Sequence, residues 1–436
     1  MLSLLALALA PQVGDPGAGS EPAIAHEGRR RPNIVLILAD DFGVDLVRVY
    51  GEGAGPPCTP SIDSLATDGL LFRNAWANPV CSPTRAALLT GRHGFRTGIG
   101  TPGGGGGMLG LTEITLPEML SGYESACTGK WHLGANDPEH PNLSGFQYFA
   151  GSLGGGIVDY EFWTKVVNGE AYLSHTYATQ DTANEAIAKI QTMQEPWFLY
   201  VPFVAPHVPF HEPPSEACPT PACVDSYCSD LRQYPSEAQL AKAMTEAMDA
   251  EIGRILETLD ALARDTFVFF MGDNGTAGAA TEHPFDPERA KGTPYENGVN
   301  VPLLVRGPGV VQGECQALVG ATDIFATFAQ LAGVNAAAED SVSMVPYFSN
   351  PNLSLRETVY TEQFTPNNSS PPYNTHDRAI RNERYKLIRR IDQPDEFYDL
   401  SADPFELTNR LDIGLSLSER EVFSALTAEL AALGVD

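Results

Sequence analysis

Three short apolar runs predict strands that are buried on both faces of a sheet. Asn33–Ala39, 197–204 and 266–271 carry almost only apolar side chains, which is typical of parallel strands covered by helices on both sides. Between the last two runs, residues 237–264 place apolar side chains every three or four positions, as one face of a long helix does. The order strand, helix, strand predicts a right-handed crossover between parallel strands.

The pattern changes near residue 356 of the chain. Short alternating runs separated by turn residues predict an antiparallel sheet with strands at 357–362, 378–381, 385–391 and 396–400. A helix follows, and Ser418 with Glu421 is expected to form the capping box at its start. The predicted fold class is α/β: a large, mostly parallel sheet with helices on both faces, plus a small C-terminal antiparallel sheet subdomain with a helix.

We expect three segments along the chain. Residues 1–31 should hold an export signal and a linker, 32–350 the main α/β domain, and 351–436 the C-terminal subdomain. The stretch 2–10 (LSLLALALA) resembles the apolar part of a signal peptide, so we expect an exported protein, either periplasmic or secreted. No apolar run reaches the roughly 18 residues that a membrane helix needs, so no membrane span is expected.

The composition is strongly acidic. There are 27 Lys and Arg residues against 55 Asp and Glu, which gives a formal charge of −28. Nucleic-acid affinity comes mainly from Lys and Arg that neutralise phosphates, so no nucleic-acid partner is expected. With 43% hydrophobic residues the chain can form a large core, and this excludes disorder as its main state.

The chain has seven cysteines, an odd number. In an exported protein most should pair, and Cys218, Cys223 and Cys228 lie in a proline-rich stretch suited to a local disulfide. Zinc binding by these three is the weaker interpretation, because no histidine lies near them at the usual spacing. Pairing the even remainder would leave one thiol over.

Acidic and amide residues directly follow two of the predicted buried strands. Asp40 and Asp41 come after the first strand, and Asp273 and Asn274 come after the third. Ligands of open α/β sheets bind at the carboxyl ends of strands, so these oxygens predict a site for a hard divalent cation, Ca²⁺ or Mg²⁺. The alternative is that these residues merely begin turns.

Residues 81–85 (CSPTR) are predicted to open a helix, with Ser82 as its cap and Pro83 as its first residue. Cys81 would then lie at the positive end of the helix, where anions bind and the pKa of a thiol falls. Arg85 is expected on the same helical face, turned toward an oxyanion. A cysteine at a helix start is more often half of a disulfide or a small core residue, but here it is the leading candidate for a nucleophile.

The CSPTR segment also matches the C-x-P-x-R signature of type I sulfatases. Further segments that resemble this family are AALLTG at 86–91, GKWHLG at 129–134, PHVP at 206–209, MGDNG at 271–275, KG at 291–292 before VP at 301–302, YKLI at 385–388 and YDL at 398–400. From Asn33 almost to its end, the chain therefore resembles the formylglycine-dependent sulfatases of the alkaline phosphatase-like superfamily. One departure is ENG at 296–298, where the family usually has Glu-Gly-Gly.

This resemblance implies that Cys81 is not used as a thiol. In the family the cysteine is oxidised after translation to formylglycine, whose hydrated aldehyde offers a geminal diol. One hydroxyl attacks sulfur and expels the alcohol, and loss of the proton from the other then ejects sulfate. A formylglycine-generating enzyme is the implied partner during maturation. Conversion of Cys81 would also account for the odd number of cysteines.

The resemblance also implies how the strand-end residues and the nearby cations are used. Ca²⁺, or alternatively Mg²⁺, would screen the nucleophile and polarise the sulfate. Its ligands would be Asp40, Asp41, Asp273, Asn274 and modified Cys81. Arg85 would steady the diol and the charge beside the metal, and Lys130 and Lys291 would hold sulfate oxygens.

Two histidines have implied roles in proton transfer. His132 would take the proton of the diol, and His207 would protonate the departing alcohol oxygen. His211 is a rival for the second role that spacing alone does not exclude.

The expected activity is hydrolysis of an aryl or carbohydrate sulfate monoester, with release of inorganic sulfate. An acidic surface would repel a polyanion, so we expect a small or terminal ester, such as one on a sulfated sugar. The alternatives are a phosphonate or phosphoester hydrolase of the same superfamily, and a non-catalytic, calcium-stabilised protein that binds sulfated glycans. The glycine-rich segments 103–107 and 154–156 are expected to form loops near the site.

Overall fold

A ten-stranded sheet organises the main part of the molecule. The computed structural model describes residues 30–103, 107–218, 226–228, 234–262, 264–336 and 338–434. The strands of this sheet are β1 (Asn33–Ala39), β2 (Leu70–Trp76), β3 (Glu124–Lys130), β4 (Tyr148–Ser152), β5 (Trp163–Val167), β6 (Glu170–Ser174), β7 (Trp197–Pro202), β8 (Thr266–Gly272), β9 (Leu303–Arg306) and β10 (Gly313–Gly320). Their order is β10-β2-β9-β8-β1-β7-β3-β4-β5-β6. The central neighbours β8-β1-β7-β3-β4 are parallel, whereas β9, β5 and β6 pair antiparallel.

Helices cover both faces of this sheet, as the sequence pattern predicted. The helices of the described ranges are α1 (Pro60–Thr67), α2 (Cys81–Thr90), α3 (Gly94–Thr97), α4 (Leu116–Met119), α5 (His140–Leu143), α6 (Ala178–Thr192), α7 (Glu237–Leu262), α8 (Glu296–Val299), α9 (Asp323–Ala332), α10 (Val345–Ser349), and, beside the second sheet, α11 (Arg410–Ile413) and α12 (Leu417–Ala432). Alternate side chains of β1 enter two different cores: Leu36 packs on the face covered by α2 and α9, and Ile37 on the face covered by α1, α6 and α7. The strand is apolar throughout because both of its faces are buried.

The predicted crossover and the C-terminal sheet are both present. β7, α7 and β8 follow one another, and β7 and β8 lie on either side of β1. The second sheet is antiparallel, with the order β11 (Val359–Thr365), β12 (Thr375–Arg381), β13 (Tyr385–Arg390) and β14 (Glu396–Asp399), and Leu426 and Leu430 of α12 pack against it. The capping box of α12 was predicted two residues too late: Ser416 caps the helix and Glu419 closes the box, not Ser418 and Glu421.

Some predictions fall on residues outside the described ranges. The export signal in 1–31 lies outside the described residues except at its end, and so do Cys223 and residues 104–106 of the first glycine-rich segment. Residues from Arg31 onward form one compact unit, and the boundary between 350 and 351 stays a prediction. None of the helices in the described ranges has both the length and the apolar composition for crossing a membrane.

A buried group of charges joins the two sheets. Lys386 of β13 lies 3.0 Å from Glu296 of α8 and 2.9 Å from Glu406, and its side chain is fully buried. Arg381 of β12 donates to the second oxygen of Glu296 at 3.0 Å. Because a buried carboxylate without a partner is costly, Lys386 is expected to be the residue on which this interface depends.

We therefore expect Lys386→Met to lower the free energy of unfolding by about 3–5 kcal/mol, since it leaves two buried carboxylates with less compensating charge. Denaturant titration of purified variants measures the change. Arg384→Met is the matched control, because Arg384 binds Asp399 from a largely exposed position and such a pair contributes little. Equal stability of the Lys386 variant and wild type would contradict the interpretation.

Candidate active site and metal centre

The two strand ends that were predicted to meet are adjacent. The last residues of β1 and β8 pair in register, so the four residues that follow them lie at one edge of the sheet. The backbone N–H of Asp41 donates to Asp273 at 3.0 Å, and the amide of Asn274 donates to Asp41 at 3.0 Å. Asp40 lies beside them, and all four side chains are buried. Asp41 has a left-handed backbone, with φ of 62°, a strained conformation of the kind that clusters at functional sites.

Helix α2 brings Cys81 to the same place, but its start differs from the prediction. Val80 is the cap and Cys81 is already the first helical residue, so Ser82 is not the cap and Pro83 is not the first residue. The hydroxyl of Ser82 instead donates to the backbone carbonyl of His132 at 3.0 Å. The helix ends at Gly91, which is left-handed with φ of 71°.

The Cys81 thiol is buried among carboxylates and is not activated. Burial, with the negative charges of Asp40 and Asp273, raises the pKa of Cys81 to about 12, although Lys130 acts in the opposite direction. The expectation that the helix start lowers this pKa is therefore wrong, because desolvation outweighs the helix end. At neutral pH this side chain, left as cysteine, is a protonated thiol and a poor nucleophile.

Arg85 lies on the inward face of α2 and is fully buried. Its guanidinium donates to a single oxygen of Asp273 at 3.1 and 2.7 Å, and to the carbonyl of Lys130 at 3.0 Å. The sequence predicted that Arg85 would turn toward an oxyanion, whereas its donors are engaged by a carboxylate beside the predicted metal position. Burial is the largest effect and acts to lower the pKa of Arg85, but the negative groups around it, of which Asp273 is the foremost, together raise that pKa, so the guanidinium stays charged.

Two lysines complete the charge pattern. Lys130, at the end of β3, forms a close ion pair with Asp40, and Lys291 lies 2.5 Å from Asp41. Burial would raise the pKa of Asp40, but Lys130 and the other cations outweigh it and lower the pKa. The three carboxylates at the strand ends are thus balanced by three cations, namely Arg85, Lys130 and Lys291. A bound divalent ion would make the group net positive and attractive to an anionic ester.

Asp273 is the carboxylate whose ionisation depends most on its neighbours. Burial and the negative charge of Asp40 raise the pKa of Asp273 to about 6, against the opposing effect of Arg85. Like charges at short range disfavour ionisation of both groups. A cation between these carboxylates would relieve this repulsion.

His132 is held in a strained position beside the cations. Its backbone is left-handed, with φ of 60°, and its Nδ1 atom is buried without a hydrogen-bond partner. Burial and the positive charge of Lys130 and Arg85 lower the pKa of His132 well below its usual value. The ring is therefore neutral at physiological pH and can accept a proton.

His207 faces the carboxylates from the loop after β7. Its Nε2 atom lies 4.0 Å from Asp41, and its Nδ1 atom lies 2.8 Å from the carbonyl of Val208. A carbonyl only accepts, so Nδ1 carries the hydrogen and Nε2 is the atom that exchanges a proton with the site. His211 is placed differently: its Nε2 lies 3.1 Å from the hydroxyl of Tyr177.

The oxygen donors fit a hard divalent cation. Asp40, Asp41, Cys81 and Asp273 each offer an atom within 4.8 Å of the others, and within the described ranges no other such group of at least three His, Cys, Asp or Glu is found. Oδ1 of Asp40 and Oδ1 of Asn274 are buried without hydrogen-bond partners, as expected of atoms that bind a metal. Sulfur is the one soft donor in this oxygen set, so an oxygen at position 81 would suit the ion better.

The glycine-rich segment 154–156 lies near the charged site, as predicted, and it contacts both His132 and His207. A Cβ atom at Gly155 would come within 2.4 Å of Nε2 of His132, and one at Gly156 within 3.1 Å of the His207 ring. The sequence did not identify Tyr160, which follows this segment and bonds the backbone of the His207 turn. No sequence signal could mark it, because its partners are main-chain atoms distant along the chain.

The cysteines pair less completely than expected. Cys218 and Cys228 form a disulfide, and Cys58 is also disulfide-bonded. Among the cysteines in the described ranges, Cys81, Cys127 and Cys315 are free and buried. An odd count therefore does not single out Cys81, whose distinction is its position among the carboxylates.

The chain resembles known proteins over most of its length. A family model described as Sulfatase matches residues 32–334, and one described as N-sulphoglucosamine sulphohydrolase, C-terminal, matches residues 285–435. N-acetylgalactosamine-6-sulfatase of Homo sapiens is 33% identical over 377 residues, covering 76% of this chain and 68% of that protein. Arylsulfatase G of Rattus norvegicus is 31% identical over 422 residues, covering 82% of this chain and 76% of that protein. The crystal structure of Ps i-CgsB in complex with k-i-k-neocarrahexaose superposes with a TM-score of 0.78 at 26% identity, over 93% of each chain.

Proposed function

The chain belongs to the sulfatase family and is a sulfate ester hydrolase, and on this premise we propose that Cys81, converted to formylglycine, supplies the nucleophile that releases sulfate from a small or terminal sulfated sugar. The observation that carries the proposal is the position of Cys81, whose unactivated thiol lies among three carboxylates and three cations. A thiol with so high a pKa stays protonated at neutral pH and is a poor nucleophile. A formylglycine hydrate would supply two hydroxyl groups in its place.

The strand-end residues are proposed to hold a divalent cation. Asp40, Asp41, Asp273 and Asn274 offer its oxygen ligands, together with the modified side chain at position 81. We propose Ca²⁺, with Mg²⁺ as the alternative, because both prefer oxygen donors. The ion would add positive charge next to the sulfate. Arg85 holds Asp273 in place through two hydrogen bonds and favours its ionised form.

The remaining polar side chains are proposed to handle the sulfate and the protons. Lys130 and Lys291 are proposed to donate to sulfate oxygens, because their ammonium groups lie beside the carboxylates of the site. His132 is neutral and accepts a proton from the nucleophile side. His207, through Nε2, donates a proton to the departing alcohol oxygen.

The names of the relatives favour a carbohydrate substrate, because they include an N-acetylgalactosamine-6-sulfatase. Asp159 and Glu161 are exposed and act on His211 with their negative charge, so the surface beside the site should repel a polyanionic chain. We therefore propose small or terminal sulfate esters as substrates. Maturation by a formylglycine-generating enzyme and export from the cytoplasm belong to the same proposal.

Sulfate release from defined substrates tests this function. Purified protein, expressed with a formylglycine-generating enzyme, is incubated with monosulfated sugars, an aryl sulfate and a polysulfated polymer, and inorganic sulfate is measured by ion chromatography. We expect release from at least one monosulfated sugar and slow release from the polymer. Release from the polymer alone would contradict the proposed substrate class.

We expect His207→Asn to separate substrates by their leaving groups. A sugar alkoxide leaves poorly without a proton, so kcat/KM on a sugar sulfate should fall roughly 10²- to 10⁴-fold. A nitrophenolate is stable without a proton, so the fall on 4-nitrophenyl sulfate should be much smaller. His211→Asn is the matched control, since that histidine bonds Tyr177. Equal losses on both esters in the His207 variant would contradict the role of general acid.

A further inference from the structure

Tyr160 connects the glycine-rich loop to the turn that carries His207. Its side chain is almost fully buried, at 2% exposure. Its hydroxyl donates to the carbonyl of His207 at 2.6 Å and lies 3.2 Å from the carbonyl of Val204. The same turn is closed by the N–H of His207, which donates to Val204 at 2.9 Å.

The hydroxyl of Tyr160 contacts two backbone acceptors of this turn. The carbonyl oxygens of Val204 and His207 converge on one hydroxyl, and neither can donate a hydrogen. Removing the hydroxyl leaves the partly buried carbonyl of His207 without this donor, which is unfavourable, while the carbonyl of Val204 still accepts from the N–H of His207. The turn is then expected to open and to carry the His207 ring with it.

The imidazole ring itself is fixed from two further sides. Gly156 lies so close that a Cβ atom there would be 3.1 Å from Cε1 and 3.2 Å from Nδ1 of His207. Nδ1 is bound to the carbonyl of Val208 at 2.8 Å. The segment 156–160 therefore contacts the His207 ring through Gly156 and the His207 backbone through Tyr160.

We propose that Tyr160 is a positioning residue that holds His207 where its Nε2 atom meets the leaving oxygen of the substrate. This inference rests on the proposed function, in which His207 is the general acid. In this proposal Tyr160, which lies outside the charged centre, determines where the proton donor His207 is placed. Proton transfer requires a heavy-atom distance within hydrogen-bond range, so a small shift of the turn is enough to impair it.

The consequence is a loss that depends on the leaving group. Tyr160→Phe should lower kcat/KM on a monosulfated sugar roughly 10- to 100-fold, the usual effect of a displacement near 1 Å. On 4-nitrophenyl sulfate, whose leaving group needs no proton, the loss should be less than about threefold. A general loosening of the fold would lower both rates alike.

Tyr177→Phe is the matched control. Tyr177 belongs to the same aromatic cluster, with its ring centroid 5.9 Å from that of Tyr160, but its hydroxyl bonds His211 instead. We expect the ratio of the two rates to stay at the wild-type value in this variant. Gly156→Ala is the second test variant, because its new Cβ would press on the His207 ring without touching Tyr160, and it should show the same selective loss.

The experiment measures kcat/KM on both esters for the three variants and for His207→Asn. A selective loss in Tyr160→Phe and Gly156→Ala, together with one in His207→Asn, supports the proposal. A selective loss in His207→Asn without one in Tyr160→Phe overturns the positioning role and leaves the proposed function intact. If Tyr160→Phe does not fold, an unselective Gly156→Ala overturns the proposal in the same way. Equal losses on both esters in His207→Asn overturn the acid role and the positioning role with it.

Discussion

Replacing Cys81 by alanine is expected to abolish sulfate release and to leave the fold intact. Loss of a nucleophile in other hydrolases costs about 10⁶-fold in kcat, and we expect a fall of at least about 10⁵-fold here. The fold should survive because Cys81 forms no disulfide and its replacement removes one sulfur atom from a polar cluster rather than from the apolar core. Sulfate release and thermal denaturation of the same preparation measure the two effects.

Cys127→Ala provides the matched control for this experiment. Cys127 is likewise free and fully buried, and burial raises the pKa of its thiol as it does for Cys81. It belongs to the apolar core on β3 and is not one of the residues around the carboxylates. We expect its activity to remain within a few-fold of wild type. Loss of activity in both variants would show that any buried cysteine matters, and would contradict a special role for Cys81.

Removing the metal is the second change with a large expected effect. Treatment with a strong chelator should abolish activity, and added Ca²⁺ or Mg²⁺ should restore it. The ion binds only the folded protein, so Ca²⁺ at about 100 times its Kd should stabilise the fold by about 2.7 kcal/mol. Elemental analysis and thermal shift report this without reference to turnover. Full activity in a preparation that holds no metal would contradict the site.

Asn274→Ala tests the ligand set with little disturbance of charge. It removes the Oδ1 atom that has no partner and leaves the numbers of carboxylates and cations unchanged. Asp273→Ala would instead also remove the carboxylate that pairs with the buried Arg85. We expect metal affinity to fall at least about tenfold, with activity partly restored by excess ion. Asn300→Ala is the control, because Asn300 is also a buried amide whose Oδ1 has no partner, but its amide nitrogen donates to the carbonyl of Arg73 and not to a carboxylate of the site. Equal metal content in the two variants would contradict the assignment of Asn274.

The sequence predicted the parts of the fold that rest on strong apolar patterns. β1, β7, β8 and α7 were identified because their side chains are buried on every face or in a regular stripe. β3 is also buried, yet its sequence ESACTGK contains no apolar run. It packs too closely for larger side chains, since a Cβ at Gly129 would come within 2.0 Å of the backbone of Pro202. The edge strand β6 is largely exposed and carries no burial pattern to detect.

The site was predictable where motif and strand end coincide. Asp40, Asp41, Asp273 and Asn274 follow strands whose register brings them together, and Cys81 comes with a helix that begins at the same edge. The direction in which the pKa of Cys81 shifts was not predictable, because the shift depends on how completely the tertiary fold excludes water. The role of Ser82 was missed for a similar reason: the carbonyl that it bonds belongs to a different strand end.

The central claim is tested most directly by mass spectrometry of the peptide that contains residue 81. The protein is prepared in active form, treated with an alkylating reagent under denaturing conditions and digested. We expect the peptide to lack an alkylatable thiol at Cys81 and to carry the mass of an aldehyde residue, while the peptides of Cys127 and Cys315 are alkylated. A fully active preparation in which Cys81 is alkylated in full stoichiometry would contradict the account.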